Sequence, residues 1–370
     1  MAELPVSVYI VATQLCASVP GGTGRYVEEL LRGLVRLRPQ DAMVTAVATR
    51  DCTAVEELGV KVERLAPPLP VLARLWERAL PPRPRAHGVL HAPTLMVPPT
   101  RSDTALVVTI HDVVPWTHPE TLTAHGVAFH RRMAERAARE AAAIVTPTEA
   151  VASRVRELLD PRCPVRVVSP GVPLVRVPVD AEQRRGARGL DRPYVLFVGT
   201  AEPRKGLDVL LAALSQPALA GLDLVVVGPE GWGDVDVAEL ASRGRVSERV
   251  HVTGRVDDAD LAAVYAGARA LAMPSRAEGF GFPVVEAMAL GIPVVVSADP
   301  ALTEVADEAA DVVPVGDAEA LADALAGAAA SGPERERRRA KGRARAAVFD
   351  WDRTAAEMWS LYESVSPGRA

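Results

Sequence analysis

The run Tyr194-Val195-Leu196-Phe197-Val198-Gly199-Thr200-Ala201-Glu202-Pro203-Arg204-Lys205-Gly206 decides the fold class. Its apolar start, without polar alternation, reads as a strand over 194–199 that is covered on both faces, the habit of parallel sheets. A glycine-bearing turn then feeds a helical pattern over 207–213. Further Val-rich and Ile-rich runs follow at 222–227, 250–253, 270–273, 293–296 and 311–313, with helical stretches between most of them. Strand and helix in alternation imply a parallel sheet wrapped by helices.

The same rhythm precedes this run. Strands are predicted over 6–12, 44–48, 105–110, 143–147 and 165–168, and helices over 26–37, 121–142 and 149–159. The Pro-rich piece 67–84 interrupts them and is predicted as a loop with a short helix at 72–79. Between the halves, 173–192 holds Pro173, Pro178, Gly186 and Gly189 without a clear period and reads as a linker. The chain is therefore expected to form two doubly wound domains, 1–172 and 193–348, facing across a cleft at the carboxyl ends of their strands. Ligands bind at such ends. Residues 349–370 are expected as a helix that crosses back to pack over the domain junction.

A chain of 370 residues suits two such domains. With 49% hydrophobic and 24% charged residues, it is neither disordered nor fibrous. Residues 1–190 carry 24 Lys and Arg against 19 Asp and Glu, and the remainder 18 against 28. The basic front half suits a phosphorylated or membrane-associated acceptor and equally a solvated arginine-rich surface. Arg131, Arg132, Arg136 and Arg139 form one such stripe. No basic stretch is interleaved with aromatics, so nucleic acid is not an expected partner. Cys16, Cys52 and Cys163 are distant and odd in number, which suggests neither a disulfide framework nor a zinc site and favours a reducing compartment. No apolar run reaches 18 residues, and no cation precedes the first one. A cytoplasmic protein is expected, with peripheral membrane contact left open.

Three segments carry chemistry. Gly21-Gly22-Thr23-Gly24-Arg25-Tyr26 follows the first strand and opens a helix, where free N–H groups can meet a phosphate. Its spacing fits neither a dinucleotide fingerprint nor a Walker loop. In 199–206, Arg204 and Lys205 stand at a strand's carboxyl end just before a helix. The helix dipole disfavours cations there, so their presence points to a diphosphate. Glu278-Gly279-Phe280-Gly281-Phe282-Pro283-Val284-Val285-Glu286 places two carboxylates around a glycine turn. Glu278 can accept from sugar hydroxyls and Glu286 from ribose, with turn N–H groups aimed at phosphates between them. A glycine turn capping a buried helix accounts for this segment equally well.

The last segment resembles the E-x7-E signature of the retaining glycosyltransferases of family four, which have the two-Rossmann GT-B fold. Thr109-Ile110-His111-Asp112, Thr146-Pro147-Thr148, Ser169-Pro170-Gly171-Val172 and Glu202-Pro203-Arg204-Lys205-Gly206 fall in the family's order, as do the glycine cluster and the E-x7-E stretch. The resemblance covers nearly the whole chain. It implies that Arg204 and Lys205 bind the donor diphosphate and that Glu278 contacts the sugar. It further implies that Gly279, Phe280, Gly281 and Phe282 line the sugar and phosphate site through their backbone, and that Glu286 holds the ribose. Gly21 and Gly22 would approach the phosphates, and His111 would face the transferred sugar. The implied reaction moves a hexose from a nucleotide sugar to a hydroxyl acceptor with retention, using neither metal nor cofactor. Gly228-Pro229-Glu230-Gly231-Trp232 resembles members that use GDP-mannose, which favours a mannosyltransferase. The acceptor is a lipid-linked glycan, a phosphoinositide, a polysaccharide or a small natural product. Asp234-Val235-Asp236 spells a metal-binding DxD but is expected to begin a helix, and Asp257-Asp258 reads as a helix cap. A sugar-nucleotide epimerase and a non-catalytic sugar-nucleotide-binding protein of the same fold are the rival readings.

Overall fold

The computed structural model describes residues 6–17, 21–172, 176–229, 231 and 236–367. They form two compact units, Met1–Gly171 with Phe349–Ala370, and Val172–Val348.

The first unit is built on a seven-stranded, all-parallel sheet. Its strands are β1 Ser7–Val11, β2 Met43–Thr49, β3 Lys61–Leu65, β4 Gly88–Ala92, β5 Thr104–Thr109, β6 Ala143–Thr146 and β7 Val165–Val167. Their order across the sheet is β3-β2-β1-β4-β5-β6-β7, so the chain reverses its direction of travel between β1 and β4. Two of these strands, β3 and β4, were absent from the strands expected. β3 is an edge strand whose Lys-Val-Glu-Arg-Leu lacks an apolar run. β4 lies at the centre, pairing with β1 and β5, and follows the proline-rich piece that hides it in the sequence. That piece contains the helix Leu69–Glu77, which buries Leu72 and Trp76.

The helix Trp351–Val365 completes this unit. It packs on Gly21–Arg36, and its Trp351, Ala355, Met358, Trp359, Leu361 and Tyr362 are all buried. Trp359 Nε1 donates to the Leu34 carbonyl at 3.2 Å, and Thr354 Oγ1 donates to that of Ser169 at 2.8 Å.

The second unit has a six-stranded, all-parallel sheet. Its strands are β8 Tyr194–Val198, β9 Asp223–Val227, β10 Val250–Gly254, β11 Ala270–Met273, β12 Val294–Ser297 and β13 Asp311–Val313, in the order β10-β9-β8-β11-β12-β13. The central strands β9, β11 and β12 are buried throughout, as continuous apolar runs require. The reversal here lies between β8 and β11. The segment expected as a linker contains the helix Ala181–Gly186, which packs on Asp258–Gly267 through ion pairs from Arg184 and Arg188 to Asp260.

One expectation is overturned. Cys16 and Cys52 are disulfide-bonded, with Cα atoms 5.0 Å apart at a sequence separation of 36; Cys163 is free. The reason is topological. Cys16 follows β1 and Cys52 follows β2, and neighbouring parallel strands deliver both loops to one edge of the sheet. Sequence spacing carries no trace of that proximity.

Among the described residues, no helix is long and apolar enough to cross a membrane.

Candidate functional site

In an open parallel sheet, the loops leaving the two strands that flank the reversal diverge to opposite faces and leave a crevice. In the second unit those loops are 199–206, after β8, and 274–281, after β11. They hold the two charged segments singled out in the sequence and interlock closely. The Arg276 N–H donates to the Arg204 carbonyl at 2.7 Å, and Arg276 Nη1 donates to that of Pro203 at 2.7 Å. Arg276 also forks onto Asp208 at 2.6 and 2.9 Å. Gly206 lies at φ +70°, where a Cβ would stand 2.1 Å from the Pro274 carbonyl oxygen. Only glycine lets the loops approach this far.

Arg204, Lys205 and Glu278 meet here. Lys205 Nζ and Ser275 Oγ donate to Glu278 Oε1, the latter at 2.9 Å, and Arg204 Nη1 lies 3.2 Å from Oε2. Arg204 Nη2 is also 2.7 Å from Glu202 Oε1. All four side chains are at most 19% exposed, so their charges act at low dielectric. Burial would raise the Glu278 carboxyl, but Lys205 and then Arg204 override it and hold it at about 2. The Lys205 ammonium is lowered by burial and by Arg204, against the pull of Glu278. The Glu278 backbone N–H donates to Asp299 Oδ2 at 3.3 Å, while Oδ1 of Asp299 caps the helix Pro300–Ala306. Burial, with some help from the charge on Glu278, pushes the Asp299 carboxyl up.

Gly281 sits at φ +88° as the cap residue of the helix Phe282–Ala289, and Pro283 falls in its first turn. Gly279 and Phe280 are buried, and the Phe280 and Phe282 rings meet edge to face at 5.1 Å. Glu286 lies one turn into this helix, 3% exposed, and its Oε2 accepts from the Tyr265 hydroxyl at 2.7 Å.

The first unit presents the equivalent reversal between β1 and β4, with β5 alongside. Gly21, at φ +63°, and Gly22 open the helix Gly21–Arg36. His111 lies just beyond β5. Its Nε2 is 2.8 Å from the Pro93 carbonyl, which fixes the proton there and leaves Nδ1 as the acceptor. The Tyr26 ring meets it edge-on at 4.8 Å. Burial lowers the His111 pKa, against the Pro93 bond and Asp112. Asp112 accepts from the Val114 N–H at 3.1 Å.

Sequence reasoning missed Ser275 and Asp299 as partners of Glu278, Tyr265 as partner of Glu286, and His91. His91 is fully buried, with Nδ1 2.7 Å from the Tyr362 hydroxyl and Nε2 2.8 Å from Thr109 Oγ1. Asp299 before Pro300 was a readable capping signal, whereas the other three left none.

The arginine stripe is not one surface. Arg136 is buried and donates to the Trp76, Val97 and Pro98 carbonyls, Arg131 donates to that of Pro115, and Arg132 pairs with Glu77. Asp236 caps the helix Val237–Arg243 by accepting from Ala238 and Glu239 N–H, and Asp257 caps Asp258–Gly267. Asp234, Val235, Glu230 and Trp232 lie outside the described residues. Among those described, no cluster of three or more His, Cys, Asp or Glu is arranged to hold a metal.

Two Rossmann-like units with parallel sheets of seven and six strands give the chain a GT-B architecture. The model of the family "Glycosyl transferases group 1" matches residues 179–345, and that of "Glycosyltransferase Family 4" matches 20–176. The chain belongs to these GT-B glycosyltransferases. It is 29% identical over 288 residues to an O-antigen chain mannosyltransferase B of Escherichia coli, covering 74% of each chain. It is 37% identical over 227 residues to a D-inositol 3-phosphate glycosyltransferase of Salinispora tropica, covering 55% of this chain and 47% of that one. The chain thus spans about half the length of that relative. Sucrose-phosphate synthase of Thermosynechococcus elongatus shares the fold at TM-score 0.74 and 21% identity, with 98% of this chain and 99% of that one covered.

Proposed function

We propose that this glycosyltransferase moves a hexose, mannose in the first instance, from a nucleoside-diphosphate sugar to a hydroxyl of a glycan, lipid-linked or small-molecule acceptor, with retention and without a metal. The observation that carries this reading is the convergence of Arg204, Lys205 and Glu278 where the strand order reverses. Two cations in a sheltered crevice suit a diphosphate, whose charge grows as the bond to the sugar breaks. They therefore stabilise the transition state more than the bound donor. A diphosphate on Arg204 and Lys205 competes with Glu278 for both cations, which frees its oxygens to accept from sugar hydroxyls. Backbone from Gly279 to Phe282 lines the site, and Glu286 takes the ribose in exchange for its bond to Tyr265. The family resemblance is what assigns Gly21 and Gly22 to the phosphates and His111 to the sugar in this reading.

No nucleophile is assigned beneath the sugar. The acceptor oxygen attacks the anomeric carbon on the face the diphosphate leaves, and the departing phosphate oxygen takes the acceptor's proton. The similarity to an O-antigen chain mannosyltransferase supports mannose, and with it GDP-mannose.

The test is product mass spectrometry across GDP-, UDP- and dTDP-hexoses with a panel of acceptors, with and without chelator. Mannosyl transfer from GDP-mannose, unchanged by chelator, is expected. Donor conversion without acceptor would make the protein an epimerase, and donor binding without turnover would make it a binding protein. A trapped glycosyl-enzyme would overturn the same-face mechanism.

A further inference from the structure

The opposite end of the second sheet holds a feature that sugar transfer does not use. A cavity of about 490 Å³ opens where β8 and β11 begin, at the far end of those strands from Arg204 and Glu278. Five arginines are among the residues that line it: Arg185, Arg192, Arg269, Arg335 and Arg339. Arg335 and Arg339 share one face of the helix Pro333–Ala346, Arg185 comes from Ala181–Gly186, Arg269 immediately precedes β11, and Arg192 lies two residues before β8.

Capping accounts for part of this arrangement. The helices Asp258–Gly267 and Phe282–Ala289 end at the cavity, and arginines suit helix carboxyl ends. Arg185 Nη1 donates to the Ala263 carbonyl at 3.2 Å, Arg339 Nε to that of Gly291 at 3.1 Å, and Arg335 Nη1 to those of Arg269 and Ala328 at 2.6 and 3.0 Å. Two helix ends, however, supply only about one unit of negative charge together. Arg192 and Arg339 pair with Asp223 and Glu336. Arg185, Arg269 and Arg335 make no ion pair among the described residues, and Arg269 makes no side-chain hydrogen bond among them. The two carboxylates in the lining, Glu182 and Asp191, are exposed, where water screens them. Three unpaired guanidiniums against about one unit of dipole charge leave a net of about two positive charges. The arginines also repel one another: burial, then Arg269 and Arg339, lower the Arg335 pKa.

We propose that this cavity binds a phosphate-bearing anion, recognised by the Arg185–Arg269–Arg335 cluster at the amino ends of β8 and β11. Guanidinium forks match phosphate oxygens two at a time, and the volume admits a phosphate ester together with a small organic group. The phosphate belongs to a soluble phosphate monoester or to a lipid headgroup.

The experiment uses the full chain carrying Arg204→Ala and Lys205→Ala, so that the crevice at the other end of the sheet does not compete. Glycerol 3-phosphate is titrated by calorimetry, and vesicles with and without phosphatidylglycerol are tested by sedimentation. Binding to one probe is expected, and which one identifies the source. Arg269→Gln should weaken it at least tenfold. Glu182→Gln with Asp191→Asn should tighten it, which decides the matter even if the arginine variant misfolds. In the otherwise native chain, Arg269→Gln should leave basal transfer unchanged. Binding of neither probe, or binding indifferent to both sets of substitutions, would overturn the proposal.

Discussion

The two units share a strand order and differ in what they place where it reverses. In the second unit the crevice holds four fixed charges, Glu202, Arg204, Lys205 and Glu278, all sheltered from water. In the first unit the comparable end of the sheet holds His111, just beyond β5, and Tyr26, in the helix Gly21–Arg36, and behind them lies His91. Burial drives both histidines toward the neutral form. Topology thus fixes where a ligand is received, and the loop residues fix whether it is received by charge or by neutral contact. A phosphate suits the first kind of crevice, and an uncharged sugar ring the second.

Four substitutions would break or sharpen that contrast. The largest effect is expected for Glu278→Ala, which leaves Arg204 and Lys205 without their shared carboxylate and removes the proposed acceptor for sugar hydroxyls. Transfer should fall by about three orders of magnitude or more in initial-rate assays, a loss typical of a principal electrostatic group. Retention of a tenth of the native rate would remove Glu278 from the site.

Gly206→Ala should come next, because a Cβ there collides with the Pro274 backbone at a left-handed φ. Urea unfolding should show a loss of roughly 3 kcal/mol, given the strain and the forced separation of two loops. A loss under about 1 kcal/mol would mean that the loops are not locked together.

The neutral crevice makes its own prediction in pH. Burial holds His91 at about 3, far below its ordinary 6.5. Between those values the unfolded chain binds a proton that the folded protein refuses, so stability declines as pH falls below 6.5. His91→Gln keeps hydrogen-bonding capacity without titrating. It should flatten the slope of urea midpoints between pH 6.5 and 5, a window above the range of the carboxylates. An unchanged slope would assign the acid sensitivity elsewhere. The smallest effect is expected for Tyr362→Phe, which deletes the 2.7 Å bond to His91 and should cost about 1 kcal/mol in the same assay.

Legibility differed between the units in the same way as chemistry. Every strand of the second sheet was readable, because each carries a Val-rich or Leu-rich core, longest in β8, β9, β11 and β12. The first sheet hid β4 behind a proline-rich segment and β3 behind edge charges. Arg204 and Lys205 stood out in the sequence because a helix dipole disfavours cations at that position, and Glu278 because it flanks a glycine turn, which a helix cap explains equally well. Their meeting on one donor was implied by the family resemblance alone; spacing does not carry it, since it depends on β8 lying beside β11. Glu286 was legible as a carboxylate but not as the partner of Tyr265. The Cys16–Cys52 bond was misread for the same cause: adjacency across strands leaves no mark in spacing.

The composition of the first unit from both 1–171 and 349–370 has a consequence for synthesis. The second unit is encoded without interruption between them, so it leaves the ribosome whole while the first still lacks its closing helix. Until Trp351, Met358 and Tyr362 are made, the apolar face of Gly21–Arg36 that they cover stays open and His91 lacks its hydroxyl partner. Domains generally fold as units as they emerge. The order here should therefore run against the direction of translation, with the unit begun first finished last and most dependent on chaperones meanwhile.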